Sequence, residues 1–145
     1  MRKLLIPIDA GSSAARTRSA VAEAIAIHRR EPVQIHLLSV QPAVSGHVAQ
    51  FFARGELGSI HHHAATEELA PAQAQLDAAR VPYAASYVVG RRAETIVRHA
   101  REIGCDRILM GEESASGTAD GLFGSLAAQI RQMVGGTSDC QVLGS

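Results

Sequence analysis

The sequence predicts an α/β domain with an open five-stranded parallel sheet, Rossmann-like in form, and helices on both faces. Short apolar runs, typical of strands buried on both faces, alternate with longer segments whose apolar residues keep a helical period. No repeat, linker or composition shift divides residues 1–145, so we expect a single domain. In such folds a ligand binds beyond the carboxyl ends of the strands, where the winding direction reverses.

The composition describes a globular protein and excludes several functional classes. Hydrophobic residues make up 46% of the chain, charged residues 19%, and the net charge is zero, which leaves no broad basic surface for nucleic acid. No apolar stretch reaches the length of a membrane span or a signal peptide, so we expect a cytoplasmic protein. We interpret Cys105 and Cys140 as small buried residues, with a redox pair as the alternative.

The first predicted strand ends at a candidate binding residue. Residues 3–9 form a continuous apolar run that ends in Asp9. Pro7 must lie near the strand end, because it cannot donate a hydrogen bond to the sheet. A tight loop follows, with Ser12 or Ser13 as the N-cap of the first helix.

The second predicted strand leads into a long connection. Residues 33–40 form this strand, and we interpret its single histidine, His36, as structural. Residues 41–59 contain a proline and three glycines and are predicted to be an irregular loop. Loops of that length are often functional. Phe51 and Phe52 lie within it, where they either pack over the sheet edge or line a ligand pocket.

The next helical region contains a proline and three consecutive histidines. Residues 60–80 keep a helical period, and Pro71 either kinks this helix or marks its true start. Consecutive helical residues point about 100° apart, so His61, His62 and His63 cannot all face one metal ion from a regular helix. We interpret the three histidines as solvated surface residues, with a weak metal site as the alternative.

The third predicted strand is followed by two arginines. Residues 83–89 form the strand, and Gly90 ends it. Arg91 and Arg92 open the following helix, where a cation opposes the helix dipole. They are either exposed residues or groups that reach toward a ligand phosphate or a partner surface. Gly104 is a suitable C-cap for this helix.

A glycine-rich loop near the end of the chain is its most informative stretch. Residues 108–110 form a short apolar strand, and a loop of small and acidic residues joins it to a helix that begins near Gly124 and Ser125. Ser125 is a natural N-cap. Backbone donors and the helix dipole both favour an anion at such a helix start. This arrangement predicts a ligand that carries phosphate. Residues 140–143 form a last, short strand.

The sequence lacks the motifs of several enzyme classes. It has no P-loop, no dinucleotide fingerprint after the first strand, no nucleophile elbow and no cysteine pair at zinc spacing. No nucleophile and base can be paired from their spacing, so we expect a binding protein and not an enzyme. Slow metal-dependent hydrolysis of a ligand phosphate near Asp9 is a lesser alternative.

Three local features resemble the universal stress protein family over nearly the whole chain. The first is the N-terminal apolar strand that ends in Asp9. The second is a Val-Val-Gly strand end, a helix and the run Asp-Arg-Ile-Leu-Met-Gly, which together occupy residues 88–111. The third is the Gly-Ser pair at residues 124–125 before the last helix, with Cys140 before the final strand.

The spacing of glycines supports this resemblance. Nucleotide-binding members of the family show glycine, two residues, glycine, nine residues, and then glycine with serine or threonine. The present chain keeps this spacing at Gly111, position 114, Gly124 and Ser125, but Ser114 replaces the second glycine. If that position requires a positive φ angle, the Cβ of Ser114 costs roughly 1 kcal/mol.

The resemblance implies a strand order of 3-2-1-4-5, homodimers paired through the last strands, and ATP or AMP at the switch point. It implies that Asp9 contacts ribose or a metal ion and that Val40 lies against adenine. It also implies that Gly111, Gly124 and Ser125 hold phosphates. The predicted cofactor-binding residues are Pro7, Ile8, Asp9, Val40, Gly111, Ser114, Gly124 and Ser125. No catalytic residue and no metal ligand are predicted.

The charge of the loop narrows the expected ligand. Glu112, Glu113 and Asp120 stand where binding members often place a basic residue. A lost charge-assisted hydrogen bond, worth roughly 1.5–3 kcal/mol, weakens a triphosphate about ten- to a hundredfold, unless magnesium bridges the acids and the phosphates. We therefore expect an adenine-nucleotide-binding regulatory protein of the stress response. The alternative is a dimeric, stress-related interaction module that has lost nucleotide binding.

Overall fold

Strands and helices alternate along the chain. The computed structural model describes residues 2–8, 14–41, 56–111, 129–130, 132–133 and 141–144. The elements are β1 (Arg2–Ile8), α1 (Ala14–Arg30), β2 (Val33–Gln41), α2 (Glu56–Ala78), β3 (Ala84–Val89), α3 (Arg92–Ile103), β4 (Arg107–Gly111) and β5 (Gln141–Gly144). Residues 129–130 and 132–133 are also helical.

The strands form one parallel sheet in the order β3-β2-β1-β4-β5. β1 pairs with β2 from Arg2 opposite Val33 to Ile8 opposite Ser39, whereas β5 is a four-residue strand beside β4. Because β2 and β3 lie on one side of β1 and β4 lies on the other, the winding direction reverses between β1 and β4. The predicted α/β class and its parallel sheet are confirmed.

Helices cover both faces of the sheet, as predicted, and each face encloses an apolar cluster. Successive strand residues point to opposite faces, so neighbouring residues of β1 enter different clusters. The face under α1 and α2 buries Leu4, Ile6, Ile8, Ala20, Val21, Ala24, Ile25, Ile27, Val33, Ile35, Leu37, Leu69, Ala72, Leu76, Val81 and Leu109. The face under α3 buries Leu5, Leu38, Val40, Ile96, Val97, Ala100, Cys105, Ile108, Met110 and Ile130.

Helix α2 differs from the prediction at its start and at its proline. It begins at Glu56, so residues 56–59 of the predicted loop are helical; residues 42–55, with both phenylalanines of that stretch, lie outside the described residues. Pro71 lies inside α2, and the alternative that it marks the helix start is wrong. The helix continues through Pro71 because buried residues at helical spacing lie on both sides of the proline, from Leu69 to Ala72. Packing of this stripe against β2 holds the helix despite the hydrogen bond that proline cannot make.

The end of α3 agrees with the prediction. Gly104 adopts the left-handed conformation, with φ 69° and ψ 43°, and its N–H faces the carbonyls of Ala100 and Arg101. Cys105 follows at 7% exposure, and its thiol donates to the carbonyl of Arg107 at 2.8 Å. The interpretation of Cys105 as a small buried residue is confirmed, while Cys140 lies outside the described residues.

Three hydrogen bonds join Lys3 of β1 to the segment that leads from α3 into β4. The backbone N–H of Lys3 donates to Oδ2 of Asp106 at 2.9 Å, and the N–H of Asp106 donates back to the Lys3 carbonyl at 3.0 Å. The Lys3 ammonium donates to the carbonyl of Ile103, the last residue of α3, at 2.7 Å. This junction sets the register of the two strands, and therefore also the place where their carboxyl ends meet.

Among the described ranges, no helix combines the length and the apolar character that a membrane crossing requires.

His36 lies half-buried in β2 on the face covered by α3. Its Nε2 atom is buried and has no hydrogen-bond partner among the described residues. Burial, followed by the charges of Lys3 and His99, lowers the pKa of His36 below its ordinary value of 6.5. The folded chain therefore favours the neutral imidazole more strongly than the unfolded chain does.

This difference predicts a loss of stability on acidification. The unfolded chain takes up a proton at His36 near pH 6.5 while the folded chain resists it, so the free energy of unfolding should fall as the pH drops below that value. Urea denaturation from about pH 5 to about pH 8 measures this slope. The His36→Gln variant should show a shallower slope below about pH 6.5 and a constant offset from wild type near pH 8. Parallel curves over the whole range would contradict the prediction.

Candidate functional site

The carboxyl ends of β1, β2 and β4 meet at the switch point of the sheet. In the pairing of β1 with β2, Ile8 lies opposite Ser39. In the pairing of β1 with β4, Leu4 lies opposite Arg107 and Leu5 lies opposite Ile108, so both strands run toward the same edge of the sheet. Ligands of open α/β sheets bind beyond such strand ends. This edge is therefore the candidate site.

The structure describes half of the predicted cofactor-binding residues. Those at this edge of the sheet are Pro7, Ile8, Val40 and Gly111. Those outside the described residues are Asp9, Ser114, Gly124 and Ser125. The structure thus places the predicted site residues that belong to strands at one edge of the sheet. The positions of the predicted site residues in the loops and at the last helix start stay a prediction.

The side chains at these strand ends face the core. Ile8 is 3% exposed and belongs to the cluster under α1 and α2, whereas Val40 is 2% exposed and belongs to the cluster under α3. Pro7 is buried as well and has no N–H to offer. A ligand at this edge would therefore meet main-chain atoms of β1 and β2. The predicted contact between Val40 and adenine would have to come from the Val40 main chain.

Buried polar side chains gather at the carboxyl end of β2. Ser39 is 0% exposed and Gln41 is 3% exposed, and both point toward α2. The Ser39 hydroxyl donates to Oε2 of Glu68 at 2.8 Å, and the Gln41 amide donates to the same oxygen at 3.0 Å. The Gln41 amide also donates to the Ser39 hydroxyl at 2.9 Å. We call these three residues the Glu68 clamp.

Sequence reasoning missed the Glu68 clamp, although one signal was present. The strand residues at positions 33, 35 and 37 are apolar and face α1 and α2, and the same alternation continues to Ser39 and Gln41. Polar residues at two core-facing positions require a buried partner. The identity of that partner, Glu68 on α2, depends on how the helix packs and could not be obtained from spacing.

The three histidines of α2 have different surroundings. His61 is 9% exposed, and its Nε2 is buried without a hydrogen-bond partner in the described part of the chain. His62 is exposed, with its ring centroid 5.7 Å from that of Tyr87, and His63 is exposed, 3.0 Å from Glu67. The surface interpretation is wrong for His61, because the 100° step of a helix turns one of three successive residues inward. The described residues contain no cluster of metal-ligating side chains.

The two arginines at the end of β3 are exposed. Arg91 has an extended backbone before α3 and makes no side-chain cap, and its Nη1 lies 3.7 Å from Oε1 of Glu94. Arg92, the first residue of α3, is also exposed. Exposed ion pairs of this kind contribute little stability. The interpretation as exposed residues is confirmed, and a contact with a ligand phosphate stays a prediction.

Close packing joins the end of β3 to the start of α3. The N–H of Gly90 donates to the carbonyl of Gln41 at 3.0 Å. A Cβ atom at Gly90 would lie 2.5 Å from Oγ1 of Thr95, which is 4% exposed. Position 90 therefore has no room for a side chain, which is a constraint of packing and not of backbone dihedral angles.

A separate cleft of about 480 Å³ lies at the other edge of the sheet. Its lining comes from the amino ends of β2 and β3 and includes Pro32, His36 and Tyr83. Because ligands of this fold class bind at the carboxyl edge, the cleft is not part of the candidate site.

Comparison with known proteins agrees with the fold described above. The sequence model of the Universal stress protein family matches residues 1–136. Hypothetical protein MJ0577 has a TM-score of 0.69 and 21% identity, and the alignment covers 99% of this chain and 96% of that chain. The universal stress protein from Archaeoglobus fulgidus in complex with dAMP has a TM-score of 0.67 and 14% identity, and the alignment covers 99% of this chain and 97% of that chain.

A plant protein shows the same likeness at lower identity. The universal stress protein family protein from Arabidopsis thaliana with AMP bound has a TM-score of 0.62 and 13% identity, with 99% of this chain and 90% of that chain covered. At such identities, the structural likeness establishes the fold alone. No curated protein matches the chain in sequence.

Proposed function

Because this chain belongs to the universal stress protein family, we propose that it binds an adenine nucleotide and acts as a regulatory protein of the stress response, without dedicated catalysis. The observation that carries the proposal is the switch point of the parallel sheet, where β1 lies between β2 and β4. Gly111, the first residue of the family's glycine spacing, ends β4 at the candidate site.

The loop side of the site completes the proposal. Asp9 follows β1 directly and would contact the ribose or a metal ion. Gly124 and Ser125 would hold the phosphate with the backbone donors of a helix start. Gly111 and Ser114 would approach the phosphate from the end of β4. The base would lie against the main chain of Val40.

Ligand charge favours a monophosphate. Two of the three solved relatives named above are complexes, one with dAMP and one with AMP. The loop of the present chain carries Glu112, Glu113 and Asp120 and no basic residue. Like charges repel, and AMP brings fewer negative charges to this loop than ATP does. We therefore propose that AMP binds more tightly than ATP and that magnesium raises the affinity for ATP.

Isothermal titration calorimetry with AMP, ATP and ATP plus magnesium tests the proposal. We expect AMP to bind, and Gly124→Asp to weaken it at least about tenfold, because the new carboxylate meets the phosphate. Ala74→Asp is the matched control, since it adds the same charge at an exposed position of α2. If neither nucleotide binds, and if denatured protein releases none, the proposal is wrong.

A second candidate is a homodimeric interaction module without nucleotide. β5 lies at the outer edge of the described strand order, beside β4. Such an edge is able to pair with a second strand. Analytical ultracentrifugation of the same preparations separates the candidates. A dimer that binds no nucleotide would favour the second one.

A further inference from the structure

We infer that Glu68 is a positioning residue of the candidate site, whose carboxylate holds the carboxyl end of β2 in the conformation that receives the nucleobase. Glu68 lies on α2 and would not touch the nucleotide itself. The inference rests on the proposed function, because it names a residue that prepares the same site.

The geometry of the Glu68 clamp carries this inference. Ser39 and Gln41 stand immediately before and after Val40, and both donate to one oxygen of Glu68, at 2.8 and 3.0 Å. Their side chains point away from the Val40 side chain, because alternate strand residues face opposite sides of the sheet. One carboxylate oxygen thus fixes both sequence neighbours of Val40, whose main chain is proposed to contact the base.

The two donor side chains of the clamp are also protected from water. Ser39 and Gln41 are nearly inaccessible, and Glu68 is half-buried. Hydrogen bonds to a carboxylate are shorter and about twice as strong as those between neutral groups, and exclusion of water preserves that strength. The Gln41 amide also donates to the Ser39 hydroxyl at 2.9 Å, so each residue of the clamp is hydrogen-bonded to both others.

A strand end needs such support more than a strand centre does. β2 ends at Gln41, whose carbonyl accepts the N–H of Gly90 at 3.0 Å. Strand ends open locally at a lower free-energy cost than the core. Glu68 is followed in α2 by Leu69, which is 6% exposed and packs in the core. The clamp therefore ties a strand end to a helix that the core holds in place.

The expected consequence is a preorganised nucleotide site. A site that is already ordered loses less conformational entropy when its ligand binds. A Glu68 with only a structural role would contribute to the free energy of unfolding and leave the affinity of the folded protein unchanged. Nucleotide affinity, measured well below the unfolding transition, therefore distinguishes the two roles.

The test compares Glu68→Leu with Glu68→Gln by calorimetry with AMP. We expect Glu68→Leu to weaken AMP binding roughly three- to tenfold and to accelerate amide hydrogen exchange at Val40 and Gln41. The glutamine side chain keeps an oxygen that is able to accept both hydrogen bonds, so Glu68→Gln should remain within about twofold of wild type. Lys3→Met is the matched control, because it removes the bond to the Ile103 carbonyl at the opposite edge of the sheet.

The outcomes separate this inference from the proposed function. Unchanged AMP affinity and unchanged exchange in Glu68→Leu, or equal losses in the leucine and glutamine variants, would overturn the positioning role. If wild type binds neither AMP nor ATP and releases no nucleotide on denaturation, the proposed function is wrong, and amide exchange at Val40 alone tests whether Glu68 holds the carboxyl end of β2. Faster exchange in Glu68→Leu than in Lys3→Met then supports the clamp, and equal rates refute it. If Glu68→Leu does not fold, Ser39→Ala removes the two bonds of the Ser39 hydroxyl, leaves the bond from Gln41 to Glu68, and should change both measurements in the same direction.

Discussion

Replacing Leu38 with alanine should lower the free energy of unfolding by about 2–5 kcal/mol, the range for a fully buried leucine. Leu38 is 0% exposed and belongs to the cluster between the sheet and α3. It lies opposite Pro7 in the central pair of strands. Strands paired on both sides cannot move to refill the lost volume, so we expect a value in the upper half of that range. Urea denaturation provides the measurement.

An exposed residue of the same strand is the control. Gln34 is exposed in β2, and Gln34→Ala should change the free energy of unfolding by no more than about 0.5 kcal/mol. A loss of less than about 1 kcal/mol in Leu38→Ala would show that α3 does not pack against β2 as described.

Replacing Gly90 with alanine should destabilise the chain by about 1–3 kcal/mol, the usual cost of overpacking a filled site. The added methyl group would lie 2.5 Å from Oγ1 of Thr95, so either β3 or α3 has to move. Such a movement also strains the hydrogen bond from Gly90 to the Gln41 carbonyl at the candidate site. Thermal and urea denaturation measure the loss.

A double-mutant cycle identifies the contact responsible. Gly90→Ala should cost less in a Thr95→Ala background, where the opposing oxygen is removed, with a coupling of at least about 0.5 kcal/mol. Thr95→Val is the matched control, because it keeps an atom of similar size in that place and should give no relief. Equal costs of Gly90→Ala in all three backgrounds would exclude the contact with Thr95 as the cause.

Elements with strong local signals could be predicted from the sequence. The uninterrupted apolar run of β1 indicated a strand buried on both faces, and Leu4, Leu5 and Ile6 are indeed almost completely buried. Gly104 indicated a helix end, because a residue without Cβ adopts the left-handed conformation at little cost. In both cases the residues that determine the structure are adjacent in the chain.

Elements that depend on distant packing could not be predicted in this way. Residues 56–59 include Gly58, which disfavours a helix interior, yet α2 begins at Glu56. The sequence also favours a surface position for His61, but the packing of α2 buries this residue. The partner of Ser39 is 29 positions away, a distance over which no local pattern operates. At the candidate site, the alternation of strands and helices predicted the edge of the sheet at which β1 and β4 end. Ligand binding at that edge stays a prediction, and the roles of Asp9 and Ser125 depend on loops outside the described residues.

The junction between Lys3 and Asp106 has a consequence for the order of folding. Its two residues are 103 positions apart, yet their bonds align the central strand with the neighbour on the far side of the switch point. During synthesis, β1 emerges before β2 and pairs with it early, but its other edge must wait until β4, which begins at Arg107, has been made. Closing so long a loop is entropically costly and slows folding. The candidate site is therefore expected to form late, after most of the hydrophobic core has assembled.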